Sequence, residues 1–186
     1  MAVAQRIDAG EYERLAVHDD YRFVELRDGV LVEKPPLSVG HLWTIDVLSR
    51  HLIVQLDHDA FLVSSNNARL RVGDSHVVPD VVVLPSLHTK ALLERNPHQL
   101  AVFEDPVPLV VEVWSASTGG SDTETKIPLY QARGEREIWR PHPVERTMTA
   151  WVRRPDGAYD EAVHTGGIVE CAALPGVQVD VGTLFG

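Results

Sequence analysis

The chain has 186 residues, 44% of them hydrophobic and 24% charged, with 27 Asp and Glu against 17 Lys and Arg for a formal net charge of −10 at pH 7. This composition supplies a core for one domain and excludes long disorder, while the acidic balance argues against a protein that coats nucleic-acid phosphates with basic surface. No run approaches the roughly 18 apolar residues of a membrane helix, and the lone cysteine, Cys171, excludes an internal disulfide and a thiolate metal site.

Taken in chain order, Asp8 to Ala16 predicts a short helix, with Asp8 as N-cap and Glu11 three residues on. Acidic residues stand in this opening stretch where the apolar part of a secretory signal would lie, so the expected location is cytoplasmic, with no membrane association. Residues 21–33 change period around Arg27-Asp28-Gly29, and Asp-Gly between apolar runs predicts a β-hairpin that Lys34-Pro35-Pro36 stops. Ser38 caps the longest helix candidate, in which Leu42, Ile45, Leu48 and Leu52 recur at helical spacing. Short strands follow at 61–64, 69–72, 77–84 and 107–114, the last two nearly apolar on both faces, as in a sheet covered on both sides. Residues 85–106 are polar and carry Pro97 and Pro106, which predicts irregular structure. A helix is expected over 121–134, with Gly134 as its C-cap and Pro128 inside it. Strands at 137–139, 148–152 and 159–163 close the domain, and Val177, Val179, Val181 and Leu184 predict a tail that packs. No charged low-complexity linker divides the chain, so residues 1–186 read as a single mixed α/β domain.

Charge is unevenly spread. Residues 133–154 hold six Arg and three Glu, a net of +3 that leaves −13 for the rest. A directional surface and a scattered solvated face explain this equally well.

Two carboxylates stand out, Asp80 in VVPDVVVL and Glu112 in VPLVVEVW. An isolated carboxylate among β-branched residues costs several kcal/mol unless paired, hydrogen-bonded or metal-bound. Each is read as late in its strand, where α/β sheets open onto their sites; the bland alternative is a strand end facing water. Lys126 follows Glu112 across the turn at 115–120, and Asp122, four residues before Lys126, shares its helical face. If the turn folds this helix back over the strand ends, an ammonium meets two hard-oxygen ligands suited to Mg²⁺ or Mn²⁺.

These segments, together with Val24 to Gly29, His41, Val110 to Thr118, Tyr130 and Gly134, resemble a large bacterial family described as endonucleases of the PD-(D/E)XK, or restriction-endonuclease-like, superfamily. That family is abundant in cyanobacteria and actinobacteria, and the likeness covers roughly residues 12–185. The resemblance implies a restriction-endonuclease-like core, a central mixed sheet flanked by helices, with the N-terminal helix and hairpin attached. It implies Asp80 and Glu112 as metal carboxylates, the backbone carbonyl of Val113 as a further ligand and Glu25 joining from the N-terminal side. The superfamily lysine, usually two residues after the glutamate, is Trp114 here, and Lys126 takes its place from the following helix. Asp122, Tyr130 and His41 read as support. Arg69, Arg71, Arg133, Arg136 and Arg140 are candidate phosphate contacts. After the helix the family carries Tyr-Trp and then Asp-Pro, where this chain has Ile138-Trp139 and no aspartate before Pro141 or Pro143.

The implied function is Mg²⁺-dependent hydrolysis of nucleic-acid phosphodiester bonds, with Mn²⁺ substituting, DNA the expected substrate and a homodimer the expected assembly. The competing expectations are a non-catalytic binding module that keeps the fold, and a protein whose carboxylates are structural. No HExxH pair supports zinc, no G-x-S-x-G elbow supports a serine hydrolase, and Gly119-Gly120 lacks the context of a phosphate loop.

Overall fold

The computed structural model describes residues 6–115 and 121–186, with the backbone alone for residues 121–123. Asp8 caps α1 (Ala9–Leu15), its Oδ1 accepting the Glu11 N–H at 2.7 Å. A 3-10 turn at Asp19–Tyr21 leads to β1 (Val24–Arg27) and β2 (Val30–Glu33). Asp28 and Gly29 join these strands with φ of +48° and +80°, the two left-handed residues that a two-residue hairpin turn requires. Ser38 caps α2 (Val39–Gln55), as its sequence position predicts.

Then come β3 (Phe61–Ser65), β4 (Arg69–Val72), β5 (Ser75–Val77) and β6 (Val81–Pro85). The apolar run 77–84 is therefore not one strand. Pro79 has no N–H for a ladder, and the chain leaves one sheet at Val77 to enter another at Val81. Residues 85–106 also depart from expectation, because α3 (Ser86–Arg95) and β7 (Val102–Phe103) lie there. The side chains of α3 are mostly exposed, so the segment carries little apolar periodicity to read.

The chain continues through β8 (Leu109–Val111), α4 (Ser121–Arg133), β9 (Glu137–His142), β10 (Thr147–Arg153), β11 (Tyr159–His164), β12 (Ile168–Glu170) and β13 (Gln178–Asp180). Pro128 sits on an exposed turn of α4, where the carbonyl four residues back can face water, and Gly134 ends the helix at φ +86°. Among the described residues, the strands form a six-stranded sheet, β11-β10-β9-β8-β6-β3, a five-stranded sheet, β2-β1-β5-β4-β7, and the pair β12-β13. The larger sheet is mixed: β8 and β9 are parallel and its other pairs antiparallel.

Alternation along β6 and β8 explains why both strands look apolar throughout. Val81, Val83, Leu109 and Val111 face a core shared with Leu48 and Leu52 of α2. Val82, Leu84 and Val110 face the opposite core, shared with Ile127 and Tyr130 of α4 and with Leu70 and Val77 of the smaller sheet. The expected mixed α/β architecture, a central sheet flanked by helices with an N-terminal helix and hairpin, is thus present. Val177, Val179, Val181 and Leu184 are buried in the α2-side core, so the apolar C-terminal segment is spent on packing and does not offer a partner surface. No helix among the described residues is long and apolar enough to cross a membrane.

Candidate active site

Asp80 immediately precedes β6 and Glu112 immediately follows β8, so Asp80 opens its strand and does not end it. Because the two strands are antiparallel, with Val81 opposite Val111, both carboxylates come to the same end of these central strands and, by register, to the same face. The parallel pairing of Val111 with Trp139 sets Arg140 beside Glu112 in the same row. On the other side, Asn66 donates its N–H to the Asp80 carbonyl at 3.1 Å.

Both carboxylates are buried, and so is a third, Glu25 of β1. The Asp80 Oδ2 accepts from the Val113 N–H and from His41 Nε2, each at 2.9 Å, while its Oδ1 lies 3.0 Å from Lys34 Nζ. An ionised carboxylate only accepts, so the His41 proton is on Nε2; Nδ1 is buried without a partner among the described residues. Glu112 Oε1 lies 2.6 Å from Lys126 Nζ and accepts the Tyr130 hydroxyl at 2.5 Å. Lys126 and Tyr130 are four residues apart on α4 and so reach Glu112 from one helical face. Lys126 Nζ also lies 2.9 Å from Glu25 Oε1 and 3.1 Å from the Val78 carbonyl. The helix therefore folds back over the strand ends as the sequence suggests.

Charge is distributed unequally among the three acids. Burial pushes Asp80 up, but Lys34, His41 and Lys126 outweigh it and hold the carboxyl well below the ordinary range. Glu25 is likewise pushed up by burial and brought down to about 2 by Lys126, Lys34, Arg27 and the Val78 N–H. Glu112 goes the other way. Burial, reinforced by the negative charges of Asp80 and Glu25, outweighs Lys126 and Lys34 and pushes it up to about 7. Burial and the neighbouring Glu112 also raise the Tyr130 hydroxyl well above its usual value.

Glu25, expected to join the metal shell, is bound within the protein: its Oε1 accepts the Val78 N–H at 2.8 Å and pairs with Lys126, and its Oε2 accepts from Arg27 Nε at 3.0 Å, so it seats the lysine. The side chain of Asp122 lies outside the described residues, as do residues 116–120 of the preceding turn. Trp114, at the position the superfamily gives to lysine, stacks on His142 with ring centroids 4.1 Å apart.

The arginines divide. Arg69 is buried and tied to the Tyr12 hydroxyl and to the carbonyls of Asn67, Tyr21 and Arg22, so it holds the N-terminal segment. Arg133 is likewise enclosed, bound to Glu135 and to the carbonyls of Arg71, Phe103 and Asp105. Arg71 pairs with Glu104 at 3.1 Å on the small sheet. Arg136 is exposed, but it precedes β9 at the end remote from Glu112. Arg140, half-buried with its guanidinium 5.3 Å over the Trp151 ring, is the one of the five set beside the carboxylate pair.

Lys34 is the residue that reading the sequence missed. It looked like the end of a hairpin, yet its side chain is 7% exposed and Nζ sits 2.7 Å from Asn66 Oδ1 and 2.8 Å from the Val78 carbonyl, besides Asp80. Strand parity carried the signal: Glu25 pairs with Val32, and Lys34, two residues on, projects to the same face.

Metal binding can be tested against this donor set. Among the described residues no group of three or more His, Cys, Asp or Glu side chains is poised around a common point. Mg²⁺, however, commonly takes only one or two protein carboxylates and keeps water or substrate oxygens in its other positions. Asp80, Glu112 and the Val113 peptide beside them offer hard oxygens of that kind, so the chemistry fits a sparse divalent site and not a closed cage.

A family model described as "Uma2: Putative restriction endonuclease" matches residues 9–182. Among solved structures, a crystallised protein from Anabaena variabilis ATCC 29413, described as a "putative nuclease belonging to DUF820", superposes with a TM-score of 0.74. It is 16% identical over 96% of this chain and 97% of its own, which demonstrates a shared fold. No curated protein matches.

Proposed function

The chain belongs to the Uma2 family of restriction-endonuclease-like proteins, and from that membership together with the buried carboxylate pair we propose that it is a PD-(D/E)XK nuclease hydrolysing nucleic-acid phosphodiester bonds. The observation that carries the proposal is the convergence of Asp80, Glu112 and Lys126 at one end of the central strands. Acids left singly at solvated strand ends would not converge with a buried lysine in this way.

In this proposal Asp80, Glu112 and the Val113 carbonyl hold Mg²⁺, or Mn²⁺ in its place. When bound, the ion supplies Lewis acidity toward water and the phosphate oxygens. Asp80 stays ionised across the working range and is the fixed ligand, oriented by His41 and the Val113 N–H. Glu112, pushed up to about 7 in the metal-free protein, must be ionised to hold the ion, so metal uptake at neutral pH would release a proton from it. Glu25 and the Val78 carbonyl keep the Lys126 ammonium beside Glu112, where its charge opposes that developing on the phosphate. Tyr130 stays protonated and steadies Oε1. Arg140 is the proposed contact to a phosphate flanking the scissile one, with DNA the favoured substrate. The homodimer is retained as a proposal on the exposed Val39, Leu42 and Trp43 of α2, and a strict monomer at micromolar concentration by mass in solution rejects it.

One observation favours a second reading. Each central carboxylate is already paired with a lysine, an arrangement that also suits a non-catalytic member whose acids are structural. Cleavage distinguishes the two. A time course on plasmid, single-stranded DNA and RNA in Mn²⁺ should show products with the parent and none with Glu112→Gln. Equal cutting by both proteins, or none by either, goes against the nuclease.

A further inference from the structure

Two buried lysines face each other across one peptide carbonyl. Lys126 and Lys34 both donate to Val78 O, at 3.1 and 2.8 Å, and each serves one member of the carboxylate pair. Their seats differ. Lys126 is held between two carboxylates, Glu25 and Glu112. Lys34 has a single carboxylate, Asp80, and two neutral oxygens, those of Val78 and Asn66. Three acceptors match the three protons of an ammonium, so the seat is complete.

The oxygen that Lys34 occupies matters. Asp80 Oδ2 already accepts from His41 and Val113, so Oδ1 is the oxygen of Asp80 less burdened with donors, and it carries the ammonium. A divalent cation approaching that oxygen meets a unit positive charge about 3–4 Å away in a poorly hydrated setting, where repulsion between like charges is strong. Lys34 arrives from the end of β2, and the Pro35-Pro36 that follows is exposed or half-buried, so its side chain can withdraw from Asp80 without unpairing a core strand. On these contacts the structure assigns Lys34 the part of a resident cation on Asp80 that a divalent metal displaces on loading, with metal affinity set by how firmly Asn66 and Val78 hold the ammonium. This rests on the metal reading of the carboxylate pair given above.

The test is calorimetric titration of Mn²⁺ into the full chain and two variants, without nucleic acid. Lys34→Met keeps most of the buried stem and removes the charge. Asn66→Gly removes one neutral acceptor, and glycine adopts the φ of +54° found at this position without strain. The expected result is a dissociation constant for Mn²⁺ at least roughly tenfold lower in Lys34→Met, with a smaller gain in the same direction for Asn66→Gly. Binding by the parent with equal or weaker binding by both variants overturns the displacement and leaves the metal site standing. No binding by any of the three overturns both. Should Lys34→Met show no cooperative thermal transition, Asn66→Gly decides alone: tighter binding supports the displacement and unchanged binding refutes it.

Discussion

Glu112→Gln should change the pH dependence of stability in a way that isolates one buried proton. Unfolded, this carboxyl titrates near 4.5; folded, it is pushed up to about 7, first by burial and then by Asp80 and Glu25, against the opposing Lys126 and Lys34. A group whose pKa rises on folding contributes stability that is fully present below its unfolded value and is lost as pH climbs through its folded value. The window is therefore about pH 4.5 to 7, and the gap across it is worth about 3 kcal/mol. Glutamine cannot ionise, and its amide oxygen can still accept from Lys126 and Tyr130. Relative to the parent, the variant should gain about 3 kcal/mol between pH 4 and pH 8, or roughly 6–12 °C in Tm for a domain of this length. Contributions from Asp80 and Glu25, which fall away as pH drops, are common to both proteins and largely cancel in the difference. Thermal unfolding followed by circular dichroism at four or five pH values measures it. A parent–variant difference that stays flat across the window would refute the buried, proton-holding Glu112, as would a variant less stable than its parent near pH 8.

Two other substitutions probe the lysine and the phosphate contact. Lys126→Met leaves Glu25 and Glu112 buried without their shared cation, and urea unfolding at neutral pH should show a loss of about 3–5 kcal/mol that shrinks as acid protonates Glu112; a loss under about 1 kcal/mol would contradict the ion-pair geometry. Arg140→Ala should weaken binding of a labelled oligonucleotide and lower the slope of log affinity against log salt by about one. Arg136→Ala, at the far end of the same strand, should leave that slope unchanged, and equal effects of the two would remove Arg140 from the site.

Legibility in the sequence followed the range of the forces involved. Local signals read true: Asp28-Gly29 made its hairpin, Asp8 and Ser38 capped their helices, and Gly134 closed α4 at positive φ. The apolar run around Asp80 misled because it alternates between two cores, and Pro79 divides it between two sheets. α3 was hidden because its mostly exposed side chains need no periodic apolar stripe. At the site, the meeting of Asp80, Glu112 and Lys126 could be anticipated from buried charge and family likeness. Lys34 required strand parity across the hairpin, and the seating of Lys126 on Glu25 emerged only once its partners were visible. Arg69 and Arg133 illustrate the opposite failure. Nothing in composition separates an arginine that binds phosphate from one that ties loops to backbone carbonyls.

What most directly tests the carboxylate pair as a metal centre is the anomalous scattering of Mn²⁺ in crystals grown with the ion. The expected map has a peak within coordinating distance of Asp80 and Glu112, with the Lys34 side chain turned away from Asp80. Strong anomalous peaks elsewhere, with Lys34 and Lys126 still seated on the two carboxylates, would contradict the proposed metal centre.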